Sequence, residues 1–549
     1  MLFKKSLMYS PGKPLTFAVP IVALYSCLWL NSAPAAVQVT IGQNFSGSSD
    51  SSDPTETPAD ADGVVGPRHF VEFVNGAFAV YNKTNGAMVK KIADTKFWSN
   101  AGVVLATSDR IADPRIVYDP LSQRWFASMV DFDGNASDPS LESNDFLLAV
   151  SLTSDPTGGW KGFLFQADPD NGTFADFPTL GVDASAVYLS GDMYQGMNNP
   201  LGPSLWSFPK ADLVSAPPTI ANATWFGVMD YDVRGDVLQP ANCFDGSVTG
   251  RILATTDIGN DSDPHSNFVT FAVLNGGAPG ATLTPASLVA TPPWVVPDNP
   301  YLGVPYFPVI QPDGTDTLVG NEARLSAKVY AVGGFLYAVN STDVNGRVGI
   351  QWYRIRAADN SLVESGIISD PDLDLIFPSI AANQYGVVTI GFNASGAGTY
   401  VSCYAIVGQT VNGVTTFGTR LLLSASFQNY HDFSEEYGLA DISRWGDYTT
   451  TSVDPNDQNR FWTIQMTASR EPNDLWDIWV TQMTELITTP AVSLAIKRAG
   501  TNVMLSWPSG IANFQLQSAT NLVTHPAWSN VTLPAVTNAG QVSVLVPAS

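Results

Sequence analysis

From residue 64 to about residue 485, apolar and polar positions alternate along short runs that are broken by Gly, Asn and Asp. A period of two sends successive side chains to opposite faces of an extended strand, so each run predicts a β-strand. The runs are organised as a repeated phrase. It reads VGPRHFVEFVNGAFAVYNK (65–83), ADPRIVYDPLSQRWFASMV (112–130), DFPTLGVDASAVYLSGDMY (176–194) and LQPANCFDGSVTGRILATT (238–256). It continues as RLSAKVYAVGGFLYAVNST (324–342), IFPSIAANQYGVVTIGFNA (376–394) and GDYTTTSVDPNDQNRFWTIQM (446–466). Each copy predicts a hairpin of one strand, a turn and a second, more apolar strand. Pro stands at the entry of five of the seven copies, where a strand's first residue tolerates a missing N–H.

A third alternating strand follows most hairpins, as in NDFLLAVSLT (144–153), SNFVTFAVL (266–274), VGIQWYRIRA (348–357), YVSCYAIVG (400–408) and DLWDIWVTQM (474–483). A short fourth often comes after it, as in GWKGFLFQA (159–167) and LVESGIISD (362–370). Sheets of three to four antiparallel strands cannot cover both of their faces alone. Radial stacking covers each face with the next sheet and leaves only short edges. The expected fold class is therefore all-β, a seven-bladed β-propeller over 64–487, followed by a small β-sandwich. The widest gap between copies, residues 282–318, reads as an insertion with an outer strand, and it has room for an eighth blade. Two packed β-sandwiches are the alternative architecture. In the last copy, Gly446 and Asp447 are expected at the channel mouth, Thr450 to Val453 on the innermost strand, and Phe461 and Trp462 between blades.

The ends differ from the repeat. Residues 1–36 have a basic start (Lys4, Lys5, Lys13), an apolar core from Leu15 to Leu30 and small residues from Ala33 to Ala36, the plan of a secretory signal. The acidic stretch within 37–63 reads as a polar linker. Residues 488–549 carry their own alternation, and VMLSWP, FQLQSATNL and AWSNV resemble a fibronectin-type-III-like module, whole or truncated. Composition fits this picture: 14% charged residues, 45 Gly and 38 Pro suit many strands and turns rather than helices. The formal charge of −24 repels phosphate backbones and anionic lipid, which excludes nucleic-acid binding and argues against membrane association after signal removal. A secreted or cell-surface monomer is expected. Outside the signal segment the cysteines are Cys243 and Cys403, expected unpaired in different blades.

DPRIVYDPLSQRWFASMV, LLAVSLTSDPTGGWKGFLF, ADFPTLGVDASAVYLSGDMY and RWGDYTTTSVDPNDQNRFW together resemble a mostly uncharacterised group of exported bacterial β-propeller proteins, over about residues 64–485. More distantly the layout is similar to sialidase-like propellers. Their Asp-box is not present and no arginine triad can be placed, so the resemblance implies fold and export and no catalytic residue.

Chemistry has few footholds. The four histidines, His69, His265, His431 and His525, have no metal-ligand spacing, and no nucleophile elbow or P-loop is present. The densest polar stretch is NYHDFSEEYGLADISRWGDY (429–448). There Glu435, Asp441 and Asp447 are the carboxylates that acid/base hydrolysis would need. Arg444, Trp445, Asp447 and His431 would bind a sugar by hydrogen bonds and stacking; the plainer alternative is an Arg444 salt bridge to Asp441 or Asp447. Asp113, Asp176 and Asp447 recur at the entry of their copies, and they either line the channel mouth or cap their own turns. Alternating acids in DFDGNASD (Asp131, Asp133) and DPDNG (Asp168, Asp170) suit a structural Ca²⁺ or simply make turns. The sequence thus points to a binding or scaffold protein for glycans or proteins, with an extracellular polysaccharide hydrolase or lyase as the alternative.

Overall fold

The computed structural model describes residues 2–7, 15–20, 37–50, 57–196, 199–256, 264–297, 308–314, 318–320, 323–431, 443–470, 477–490, 494–508, 514–519, 529–538 and 541–547. The chain is all-β, built chiefly of four- and five-stranded sheets. Sheet I runs outward from Asp62–Val65 through His69–Val74 and Ala77–Asn82 to Met88–Ala93. Sheet II is Asp109–Asp119, Arg124–Asp133, Asp145–Ser151 and Trp160–Gln166; sheet III is Phe174–Val182, Ala186–Tyr194, Pro200–Pro209 and Thr224–Val228. Sheet IV starts with Asp236–Pro240, Arg251–Thr255 and His265–Leu274 and ends with Thr282–Leu283 and Ser287–Trp294. Sheet V places Asn242–Cys243 inside Tyr330–Val332, Phe335–Asp343, Val348–Arg356 and Ser361–Ile368. Sheet VI holds Asp374–Ala382, Val387–Gly396 and Thr399–Val411, with Val414–Phe417 and Leu421–Ser424 outside. Sheet VII is Thr450–Val453, Arg460–Arg470 and Asp477–Thr489, and its outermost strand is Gln38–Ser49 from the other end of the chain.

The buried apolar clusters lie between consecutive sheets. Phe73 and Phe78 of sheet I meet Ile116 and Trp125 of sheet II, Phe126 and Leu148 of II meet Leu180 and Leu189 of III, and Leu205 of III meets Ile252 and Phe271 of IV. Phe268 packs on Tyr353, Trp352 on Ile390, and Ala381 on Phe461. The last cluster joins Ile464, Met466 and Trp462 of sheet VII back to Phe70 and Val74 of sheet I. The cycle closes. Each large side chain so buried contributes roughly 1.5–3 kcal/mol, which is why no sheet stands alone. The arrangement is propeller-like, with each sheet acting as the lid of its neighbour. The innermost strands come very close: a Cβ at Gly181 would lie 2.4 Å from the carbonyl oxygen of Pro240, so only glycine fits there.

Several expectations change. Gln38–Ser49 is a strand paired with Asp477–Thr489, not part of a linker, because the outer edge of sheet VII needs a partner for its backbone groups. The first copy of the phrase is out of phase. Its hairpin forms the second and third strands of sheet I, and the innermost strand is Asp62–Val65. Sheet V is not wholly antiparallel, since Asn242–Cys243 leaves the fourth copy and pairs parallel with Tyr330–Val332. Within 282–318 the described residues give outer strands of sheet IV and one strand of a small ribbon, Pro308–Val309 with Leu318–Val319.

Beyond sheet VII, Ala495–Ala499, Asn502–Pro508, Gln541–Pro547 and Ala535–Asn538 form one sheet. Phe514–Ala519 and Ser529–Asn530 form another, which Leu2–Leu7 and Leu15–Pro20 extend along its edge. Leu505, Trp507, Leu516 and Val544 share a core between the two. The residues around the expected cleavage point, Ala35 and Ala36, lie outside those described. Among the described residues no helix is long and apolar enough to cross a membrane. Cys243 and Cys403 are both free and buried, in sheets V and VI.

Candidate functional site

Four of the seven innermost strands share one irregularity. Their pairing slips between Ala112 and Arg115, Asp176 and Thr179, Asp236 and Gln239, and Ile376 and Ser379. At each slip one residue has left-handed backbone: Asp113 (φ 61°), Phe177 (φ 50°), Val237 (φ 51°) and Phe377 (φ 50°). Asp60, just ahead of sheet I, matches them at φ 44°. These are β-bulges, and for a β-branched residue such as Val237 a positive φ carries real strain. Pro follows in three of them (Pro114, Pro178, Pro378), where the ladder is already broken and no N–H is needed.

The bulge turns its N–H sideways, toward the neighbouring sheet. Asp113 N donates to Asn75 Oδ1 (2.9 Å), Phe177 N to Asp113 Oδ2 (3.1 Å), Asp447 N to Asp60 Oδ1 (2.8 Å), and Val237 N to Asp192. Asn75 Nδ2 in turn donates to Asp60 Oδ2 (2.9 Å). Asp113 therefore does not cap its own turn, whereas Asp176 also accepts from the backbone N–H of Phe177, the next residue. Asp113 and Asp60 tie one sheet to another.

That belt concentrates acid at one mouth of the ring. Oxygens of Asp60, Asp113 and Asp447 lie within 4.8 Å of one another, and Asp176 faces Asp192 across two strands of sheet III. Burial, reinforced by the charge of Asp447, pushes Asp60 up to about 7. Burial followed by the charges of Asp176, Asp60 and Asp447 holds Asp113 well above the usual carboxylate range. Asp176 rises through burial and then Asp447, and Asp192 through burial and then Asp236. Such shifts mark a site that keeps protons near neutral pH. Two arginines offset part of the charge. Arg324 Nη1 lies 3.3 Å from Asp192, and Arg444 Nη2 lies 2.8 Å from Asp447.

Below the carboxylates the axis is filled. The guanidinium carbon of Arg115 sits 3.3 Å from the centre of the Tyr448 ring. Its Nε donates to Pro178 O (2.8 Å) and its Nη1 to Ser326 O (3.2 Å). Tyr448 Oη donates to Pro114 O (3.0 Å), and Phe177 meets Tyr448 edge-on. Lys328, buried and lowered to about 8 by desolvation against the pull of Asp62, donates to Asp62 and to Ile116 O. This layer is a polar plug rather than an open channel.

The structure sorts the residues singled out in the sequence. Asp113, Asp176 and Asp447 come together, and Arg444 joins them through its salt bridge to Asp447. Trp445 does not: it is fully buried against Tyr430 and cannot stack on a sugar, because so large an apolar ring is worth more in the core. His431 is held elsewhere, its Nε2 2.8 Å from Asp313 and its backbone N on Asp477. Glu435 and Asp441 lie outside the described residues. In the expected calcium loops the carboxylates take local hydrogen bonds, and Asp131 also lies near the charges of Asp145 and Asp109. Asp168 is spent on the backbone N–H groups of Asp170 and Asn171 and on Thr173, Asp131 accepts from Asp145 N, and Asp133 from Asn135 N. Among the described residues, the acidic trio that could hold a cation is Asp60, Asp113 and Asp447. Asp60 and Asp192, Arg115, Arg324 and Lys328 were missed. Aligning AspAlaAsp (60–62) with AspProArg (113–115) would have found Asp60 and set Asp62 in the phase of Arg115.

No family model matches the chain, and no curated protein matches it. Among solved structures, an α-L-arabinofuranosidase of Fusarium graminearum in complex with arabinobiose overlaps 81% of this chain and 98% of its own, at 10% identity and TM-score 0.36. A protein of unknown function from Dyadobacter fermentans overlaps 81% and 97%, at 8% identity and TM-score 0.34. Drosophila Plexin A in complex with Semaphorin 1b overlaps 82% and 88%, at 7% identity and TM-score 0.32.

Proposed function

We propose that this is an exported seven-bladed β-propeller that binds a glycan at its acidic mouth, with residues 488–549 as a fibronectin-type-III-like module. The convergence of Asp60, Asp113, Asp176 and Asp447 on one mouth, beside Arg324 and Arg444, carries the proposal. Sugar hydroxyls donate to carboxylates and accept from guanidinium groups, so this donor and acceptor set suits a neutral or basic saccharide and disfavours a phosphorylated or sulfated one. Asp447 and Arg444, partly buried with side chains 29% and 13% exposed, are the groups a ligand would meet first. A divalent cation on Asp60, Asp113 and Asp447 would neutralise the trio and offer sugar oxygens a further ligand.

A second reading is polysaccharide hydrolysis. It is favoured by Asp60, which burial and Asp447 hold near 7, a value at which a carboxyl group serves as a general acid. The close spacing of the trio is nearer the roughly 5–5.5 Å of retaining glycosidases than the roughly 6.5–9.5 Å of inverting ones, so hydrolysis here would be of the retaining kind.

A glycan array on the purified protein, with and without a chelator, tests the proposal. Binding should weaken at least about tenfold in Asp447→Asn and Arg444→Ala, and reducing-end release from the bound glycan separates the two readings. Failure to bind any glycan, with or without Ca²⁺, would remove both.

A further inference from the structure

Beside the acidic mouth a cleft of about 410 Å³ opens between sheets I and II. Gly76 and Asp94 stand on the side of sheet I, and Asp109, Ile111 and Asn135 on the side of sheet II. The cleft adjoins the carboxylate belt. Gly76 follows Asn75, the residue that bonds both Asp60 and Asp113, and Ile111 stands two positions before Asp113 on the same strand. At roughly 3.3 Å per residue along a strand, Ile111 lies about 7 Å and Asp109 about 13 Å from the bulge. At roughly 30 Å³ for each water, the space matches about fourteen waters and falls in the range of small-ligand sites.

The walls carry polar groups that the fold does not use. Thr95, Thr107, Ser108 and Asn135 line the cleft, and among the described residues their side chains have no hydrogen-bond partner. Asp94 is fixed by Gly76 N (2.8 Å) and Thr95 N (2.5 Å). Asp109 Oδ2 takes Ala106 N (2.5 Å), which leaves its Oδ1 as an acceptor. Arg110 adds guanidinium donors to the rim, its Cγ lying where a Cβ on Gly134 would come within 2.8 Å. Hydroxyl, carboxamide, carboxylate and guanidinium groups thus share one small space. That set matches a sugar, whose hydroxyls both donate and accept, and an apolar ligand would leave it unpaired. Charge narrows the class. Burial, and then the charges of Asp145 and Asp109, push Asp131 up to about 7, and burial followed by Asp109 raises Asp145. An anionic sugar would add to that crowding, and a neutral one would not.

We propose that the cleft is a second sugar subsite, and that the glycan is a neutral oligosaccharide with one end on Asp447 and Arg444 and its chain running outward between sheets I and II, past Asp109 and Asn135. The distance from the bulge to Asp109 calls for about three sugar units or more. The proposal rests on the reading of the acidic mouth as a glycan site, and it adds the ligand's length, charge and direction.

The probes are mono- to tetrasaccharides of the neutral gluco, xylo, manno, galacto and arabino series, titrated against the full chain by ligand-observed NMR. In a series that binds, affinity should rise at least about tenfold from the monosaccharide to the tetrasaccharide, the value of one or two hydrogen bonds gained. Thr107→Ala, Ser108→Ala and Asn135→Ala combined should bring the tetrasaccharide down to the affinity of the monosaccharide. Asp447→Asn should weaken every length alike. Affinity that does not grow with length, or a tetrasaccharide indifferent to the triple variant, would overturn this proposal and leave the acidic mouth as a single-sugar site. Absence of binding by every probe would overturn the reading of the mouth as well. The length series on the unmodified protein stands even if the triple variant does not fold.

Discussion

The two ends of the central axis are made by the same innermost strands, yet they are chemical opposites. Where the strands begin, bulges with positive φ at Asp113 and Phe177, matched by Asp60, send backbone N–H groups sideways and recruit carboxylates to receive them. Where they finish, the pairing is regular and Val65, Val117 and Val453 meet across the axis as an apolar lip. Between them Arg115, Tyr448 and Lys328 close the passage. A broken ladder must be repaired by side chains, and a ring of bulges needs a ring of acceptors. Carboxylates meet that need, and their burial, reinforced by their crowding, then supplies raised proton affinity as a by-product available to function. The regular ends need no repair, so they are free to be greasy.

The largest effect expected on this contrast comes from the plug. Lys328→Met leaves Asp62 buried without its cation and should cost about 3–5 kcal/mol in denaturant unfolding. Adding Asp62→Asn to that change should recover part of the loss, as a coupled pair requires. Were the two losses simply additive, the plug would not be a unit. Next, Arg115→Leu removes the donors to Pro178 O and Ser326 O and should cost about 2–4 kcal/mol. The cost should fall on stability and on acidic-mouth binding together, measured by melting and by the glycan array.

A subtler effect separates the mouths by pH. Asp60 is raised from 3.8 to about 7 in the folded chain, so the native state holds a proton that the unfolded chain gives up. Stability is then greatest near and below pH 4 for this group and falls as pH rises from about 4 to about 7. In Asp447→Asn the neighbouring charge that, after burial, raises Asp60 is removed, so Asp60 ionises more easily and the decline flattens. The difference in melting temperature across that window should be on the order of 2 °C. An identical slope in the two proteins would mean that the trio does not share its protons. The smallest effect belongs to Asp447→Asn, partly buried and paired with Arg444 across 2.8 Å, which should change stability by less than about 1 kcal/mol while weakening ligand binding.

Much of the architecture was legible along the chain, because strand alternation and turn residues are local. The hairpins at 112–130, 176–194, 376–394 and 446–466 were in phase, and with them Asp113, Asp176 and Asp447. The first copy was not, because GPRHFVEFVNG makes the clearer hairpin while Asp62–Val65 is only four residues long. Asp60 was lost with it, inside a stretch whose acidity suggested a linker. Trp445 next to Arg444 reads locally as a sugar platform, and only packing against Tyr430 reveals it as core. Asn242 gave no local sign of leaving its own hairpin for the next sheet.

The chain's own order of residues determined its strands, its turns and the recurrence of Asp at strand entries, since steric preference and side-chain alternation act between near neighbours. Closure of the ring by Gln38–Ser49, the meeting of Asp60 with Asp113 and Asp447, and the solitary Nδ2 of Asn242 were decided only in three dimensions. Proton affinity and hydrogen-bond satisfaction depend on distance and on the exclusion of water, and both are set by residues hundreds of positions apart.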